Sequence, residues 1–170
     1  MKQPFDAGQV EYLVRTYSDL IARISYTWFS NTADVQDISQ TVFLKLLTSR
    51  ITFETADLER AWIIRMTLNA CKDLKKSFWR RRVGSFEEAP EIAVPCPELE
   101  DNPVLAAVQS LPLKYRNAIY LHYYEGYQVQ EIARMTGETP NAVSAHLSRG
   151  RKKLREMLGG DSYEQASIRV

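Results

Sequence analysis

Apolar residues recur every three or four positions along most of the chain, the spacing of helices that bury one face. Val10, Leu13, Val14, Tyr17, Leu20, Ile21 and Ile24 form one such stripe. Asn31-Thr32 caps a second helix, with Val35, Ile38, Val42, Phe43, Leu46 and Leu47 along one side. A third is predicted from about residue 57 to 81, burying Leu58, Trp62, Ile63, Met66 and Ala70. Further on, Asn102-Pro103 reads as a cap followed by proline at the first helical position. It opens a short helix with Val104, Leu105 and Val108, which Leu111-Pro112 breaks. Helices then follow at roughly 113–124, 128–136 and 140–158. No convincing strand pair interrupts them, so the predicted class is all-α.

Length and charge divide this helical chain in two. Its 170 residues make one domain or two small ones. Residues 1–83 carry 13 bases against nine acids, and residues 102–170 carry nine against six. Between them, residues 84–101 hold six acids and no base, together with Pro90, Pro95 and Pro97. The net charge of +1 therefore conceals two basic lobes, 1–83 and 102–160, joined by an acidic flexible linker at 84–101. Residues 161–170 are expected to be a frayed tail.

The same sequence excludes several function classes. No apolar stretch approaches the ~18–20 residues of a membrane helix, and the first residues are no signal peptide. Cys71 and Cys96 build neither a disulfide framework nor a zinc site; Cys71 is expected in the core and Cys96 as an exposed linker thiol. A reduced cytoplasm is the expected location. The histidines are His122 and His146, and His122 is expected to pack within its helix. No phosphate loop, metal cluster or nucleophile motif appears, so neither an enzyme nor a bound cofactor is expected.

Positive chemistry points to nucleic acid. The run from Val129 to Leu147 has helix-turn-helix spacing: Ala133 is small where two helices cross, Gly137 ends the first, and Thr139-Pro140 caps and starts the second. Val143 and Leu147 turn inward. The opposite face is expected to show Asn141, Ser144, Ala145, His146, Ser148 and Arg149, with Arg151, Lys152, Lys153 and Arg155 beyond. Polar groups at the helix's amino end suit a major groove, and the basic run suits phosphates. In the first lobe, Arg65, Asn69, Lys72, Lys75, Lys76, Arg80, Arg81 and Arg82 interleave with Trp62, Phe78 and Trp79. Cations hold a backbone while rings receive unstacked bases. Asp37, Gln40 and Lys45 project from a helix whose apolar face is already committed; chemistry alone leaves that face either merely solvated or a docking surface.

The order of these features resembles bacterial RNA polymerase sigma factors of the extracytoplasmic function (ECF) group, within the sigma-70 family. The resemblance rests on four runs: Asp37-Ile-Ser-Gln-Thr-Val-Phe-Leu-Lys-Leu, the stretch from Ala61-Trp-Ile-Ile-Arg to Lys76, Leu111-Pro-Leu-Lys-Tyr-Arg-Asn-Ala-Ile-Tyr-Leu, and the helix-turn-helix ending Leu147-Ser-Arg-Gly-Arg-Lys-Lys-Leu. It spans roughly residues 10–158. It implies two helical domains, the second a helix-turn-helix of the sigma region 4 type (winged-helix-like). It implies that Asp37, Gln40, Phe43 and Lys45 lie on the helix docking the clamp of the large polymerase subunit. Trp62, Arg65, Asn69, Lys72, Asp73, Lys75, Lys76 and Arg80 match the segment that opens and reads the minus-ten element, with the loop at about 51–59 beside a flipped base. Asn141, Ser144, Ala145, His146, Ser148, Arg149 and Lys152 match the reader of the minus-thirty-five element. An anti-sigma protein is the implied regulator, and the acidic linker resembles the connector that threads the polymerase's nucleic-acid channel. Val35-Gln36 departs from the usual Ala-Glu, and Ser144 stands where many members carry Lys or Arg.

Two rivals remain on the residues alone. A stand-alone helix-turn-helix regulator, reading duplex DNA as a dimer, needs only the second lobe to touch DNA. A pure interaction module needs no basic carboxy-terminal run. The helix at 34–47 and the basic-aromatic helix at 60–82 discriminate against the first.

Overall fold

The computed structural model describes residues 5–49, 51–82 and 103–159, the side chains of Arg82 and Leu105 excepted. The acidic segment at 84–101 with Cys96, the cap at Asn102 and the tail at 161–170 lie outside the described residues. The chain divides into two compact units, Met1–Glu91 and Ile92–Val170. Every regular element among the described residues is helical.

The first unit packs three helices, α1 (Ala7–Tyr26), α2 (Thr32–Ser49) and α3 (Ala56–Arg82), each against the other two. Each starts where a short polar side chain satisfies an orphan amide. Asp6 accepts from the Gln9 amide at 2.8 Å while Gln9 accepts from the Asp6 amide at 3.0 Å. Asn31 accepts from the Asp34 amide at 2.8 Å, and Thr55 from that of Leu58 at 3.2 Å. The core draws Leu20, Ile21 and Ile24 from α1, Ile38, Val42 and Leu46 from α2, and Ile63, Ile64 and Leu68 from α3. Fully burying each such side chain is worth about 1.5–3 kcal/mol. The buried hydroxyls of Ser25 and Thr67 donate to the carbonyls one turn earlier, Ile21 and Ile63, at 2.7 and 2.8 Å.

The expected phase of α3 needs correction. Leu58 is 53% exposed and Trp62 and Met66 are only half-buried, while Ile64, Thr67, Leu68 and Cys71 join Ile63 and Ala70 in the core. Two apolar sets share this helix. At about 100° per residue, the set at 63, 64, 67, 68 and 71 points one way and Leu58 the other. The larger, continuous set faces α1 and α2.

Burial raises the Cys71 thiol from 9.0 to about 12, against the opposing pull of the Ser25 hydroxyl. The folded chain thus holds this proton more tightly than the unfolded one. The resulting stability is complete below pH ~9 and drains away between pH ~9 and ~12, by up to about 1.4 kcal/mol per pH unit. Denaturant melts should show the alkaline decline, and Cys71→Ala should blunt it.

The second unit assembles α4 (Pro103–Ser110), α5 (Leu113–Ile119), α6 (Val129–Thr136) and α7 (Pro140–Leu158). Pro103 occupies the first helical position, as expected. Leu111 closes α4, and Arg116 holds its carbonyl through Nε at 3.2 Å and Nη2 at 2.8 Å. The helix predicted at 113–124 is not uniform. It widens into a π-helical turn over Tyr120–Tyr124, where the Glu125 amide donates to the Tyr120 carbonyl at 3.1 Å. There Tyr120 and Tyr124 stack 5.1 Å apart, and His122 meets the Tyr127 carbonyl at 2.8 Å. Buried Gly150 lets α5 and α7 approach: a Cβ there would lie 3.0 Å from Ile119 Cγ1.

Candidate nucleic-acid interface

On α3, Trp62, Arg65, Asn69, Lys72, Lys76 and Arg80 follow one another at intervals of three or four residues, on the side opposite the buried set. Arg65, Lys76 and Arg80 are exposed; Asn69, Lys72 and Lys75 are half-buried. Arg81 and Asp73 are also exposed, and the Trp79 ring, 66% exposed, borders the same stripe. Phe78 instead turns back, its ring 6.2 Å from that of Phe29. Trp62 packs 5.8 Å from Phe53, which stands in the segment before α3. The two rings are tilted by 57°, and Trp62 stays partly open.

A partly buried tie anchors the start of this helix. Tyr17 of α1 donates to Glu59 at 2.6 Å. Burial, then the Glu59 carboxylate, push the Tyr17 phenol well above its ordinary range. The hydroxyl therefore remains a donor, and the first turn of α3 stays fixed relative to α1.

On α2, Asp37, Gln40 and Lys45 are exposed and Phe43 is half-buried, opposite Val35, Ile38, Val42 and Leu46. Leu44, 62% exposed on the same helix, was not singled out from sequence. An apolar side chain so open beside a committed core was unreadable from periodicity, because Val42-Phe43-Leu44 and Leu46-Leu47 are nearly continuous.

In the second unit the α6–α7 pair forms as its turn chemistry dictates. Gly137 adopts φ +74°, and its amide and that of Glu138 both donate to the Ala133 carbonyl at 3.0 Å. Thr139 Oγ1 accepts from the Ala142 amide at 3.2 Å, with Pro140 beginning α7. No atom lies within 4 Å of where a Gly137 Cβ would stand, so Gly137→Ala carries only the left-handed backbone cost of about 1–2 kcal/mol. A thermal melt should show that loss, with full helical content retained below the transition.

Val143, Leu147, Gly150 and Leu154 bury one face of α7. Asn141, Ser144, Ser148, Arg149, Lys152, Lys153 and Arg155 are exposed, polar at the amino end and basic further along. Ala145 is half-buried, and Arg151 donates to the Tyr123 hydroxyl at 3.0 Å. His146 departs from the expected open face. Its side chain is only 15% exposed, with Nε2 3.0 Å from Glu138 and its ring 5.7 Å from Tyr115. Five residues beyond Asn141, it falls about 140° around the helix from that residue.

Among the described residues no group of His, Cys, Asp or Glu is arranged to hold a metal ion, and no helix is long and apolar enough to cross a membrane. The arrangement offers cations, exposed rings and polar helix-end groups, all suited to binding a nucleic acid.

Comparison with known proteins agrees in both units. The Sigma-70 region 2 family matches residues 13–83, and the Sigma-70 region 4 family matches residues 101–154. The chain is 30% identical to the ECF RNA polymerase sigma factor SigE of Mycolicibacterium smegmatis, over 91% of its own length and 63% of SigE. It is 29% identical to the RNA polymerase sigma factor CarQ of Myxococcus xanthus, covering 80% of this chain and 81% of CarQ. In fold it is similar to the sigma factor RpoE of Bartonella quintana, solved in complex with the anti-sigma factor NepR. That likeness has a TM-score of 0.71 at 20% identity and covers 89% of this chain and 97% of the other. With both matched regions present in order, and relatives of one kind along almost its whole length, the chain belongs to the ECF group of the sigma-70 family of RNA polymerase sigma factors.

Proposed function

We propose that this chain binds core RNA polymerase and directs it to promoters, where it recognises two elements, opens the DNA and allows initiation at a specific regulon. The observation carrying this reading is the pairing of two basic helical faces, on α3 and on α7, each opposite a packed core in a separate unit. A stand-alone regulator has no use for the first.

In this reading Asp37, Gln40, Phe43 and Lys45 dock on the clamp of the large subunit, and exposed Leu44 adds apolar contact at the same place. Trp62, Arg65, Asn69, Lys72, Lys75, Lys76 and Arg80 hold and read the opened minus-ten strand. Unstacking costs a few kcal/mol per step, and stacking on rings at ~1–3 kcal/mol per base offsets it. Asn141, Ser144, Ala145, Ser148, Arg149 and Lys152 meet the minus-thirty-five element. Residues 1–83 and 102–160 act as the two reading domains. The acidic tether at 84–101 raises their effective concentration on one promoter and follows the polymerase's basic channel. The protein works in the cytoplasm, performs no catalysis of its own, and is held in check by an anti-sigma protein.

The test is retention of purified core polymerase by the chain, followed by run-off transcription. Core retained, together with a new start site, supports the reading. Duplex DNA bound by the chain as a dimer, with core polymerase ignored, overturns it in favour of a stand-alone regulator.

A further inference from the structure

His146 sits where α5, α7 and the turn between α6 and α7 converge. From the second turn of α7 its ring reaches Glu138, the residue after the glycine that ends α6, and Tyr115 of α5. His146 Nε2 lies 3.0 Å from Glu138 Oε2, within ion-pair distance of the carboxylate. The other ring nitrogen, Nδ1, is buried without a hydrogen-bond partner among the described residues, so the ring has one polar attachment there. That attachment spans the turn: the Glu138 amide is held by the Ala133 carbonyl of α6 while its side chain holds α7.

We infer that His146 is a positioning residue rather than a base-contacting one: its contacts with Glu138 and Tyr115 fix the rotation and tilt of α7 against α6, and so decide which bases Asn141, Ser144 and Ser148 meet. This rests on the proposed reading of α7 as the upstream-element reader. The physical reason is geometric. Base-edge hydrogen bonds require donor and acceptor to match within a few tenths of an ångström, whereas phosphate contacts by long Lys and Arg side chains tolerate much more. A helix freed to rotate slightly keeps its general affinity and loses its discrimination. Backbone bonds to Ala133 and the Thr139 cap hold the turn itself, and the Glu138–His146 contact adds a side-chain link from the turn to the second turn of α7.

The experiment uses the full chain assembled with core polymerase and a library of promoter duplexes randomised across the upstream element. Retained DNA is sequenced, and affinity for the preferred and a scrambled duplex is compared at fixed salt. His146→Ala and Glu138→Ala should each lower the preferred-to-scrambled ratio roughly tenfold, the scale of one good base contact, with scrambled-duplex affinity unchanged. The double variant should be no worse than either single one. Glu138→Gln, which keeps an acceptor in place, should stay within about twofold of the native ratio. If His146→Ala alters the preference and Glu138→Ala does not, the histidine reads a base directly and the inference fails. It fails equally if neither variant alters the ratio, or if both weaken the two duplexes alike. A native holoenzyme with no upstream preference overturns the functional reading itself, a result distinct from the others.

Discussion

Alanine at Arg65, Lys76 and Arg80 together is expected to weaken the holoenzyme's hold on an opened minus-ten strand by about 50-fold at 0.15 M salt, leaving the protein as stable as before. The magnitude follows from counterion release. Each single-strand phosphate neutralised contributes about 0.7 to the slope of log affinity against log salt, so three contacts remove about two from that slope. All three side chains are exposed on α3, opposite the buried Ile63, Ile64 and Leu68, so truncating them opens no cavity. Surface changes of this kind stay within about ±0.5 kcal/mol of native stability. Lys72 and Lys75, half-buried on the same helix, are left in place because their stems share in the packing. A fluorescent base analogue in the non-template strand, followed across a salt series, reports opening and slope together. A slope identical to the native one means this face does not grip phosphates, and the assignment of α3 to the opened strand is then wrong.

That variant is easy to choose because charge is written locally. The basic stripe was visible before folding: Arg65, Asn69, Lys72, Lys76 and Arg80 keep their three-and-four spacing whatever packs behind them. The helix-turn-helix was visible for a similar reason. Gly137, Thr139 and Pro140 act through their own backbones, and the structure gives them the left-handed turn and the cap they predict. Features set by tertiary partners were not visible. Leu58 and Trp62 share a plausible helical phase, and only the competing set around Ile63 and Ile64, packed on α1 and α2, shows it to be the outward one. His146 reads from sequence with its polar neighbours because its partner Glu138 lies across a turn and Tyr115 thirty-one residues earlier. Gly150 carried no signal in a helix rich in Arg and Lys, yet it sets the approach of α5 to α7. The π-helical turn at Tyr120–Tyr124 is a change of hydrogen-bond partner that leaves the apolar pattern almost untouched.

The same dependence on tertiary packing makes the second unit vulnerable at one residue. Ile132→Ala is expected to destabilise it by about 3 kcal/mol, because truncating a fully buried branched side chain loses transfer energy and leaves a cavity. A unit described over residues 103–159 has only about 3–9 kcal/mol in total at the usual per-residue stability. Its midpoint should therefore fall by more than about 10 °C, enough to unfold much of it near physiological temperature. Calorimetry of the full chain should show this transition moving while that of the first unit stays in place, since Ile132 belongs to the second unit alone. Holoenzyme carrying the variant should then lose dependence on the upstream element and retain core binding through α2. If the two transitions instead move together, the units fold as one cooperative body, and independent reading of two promoter elements by two separately stable domains loses its physical basis.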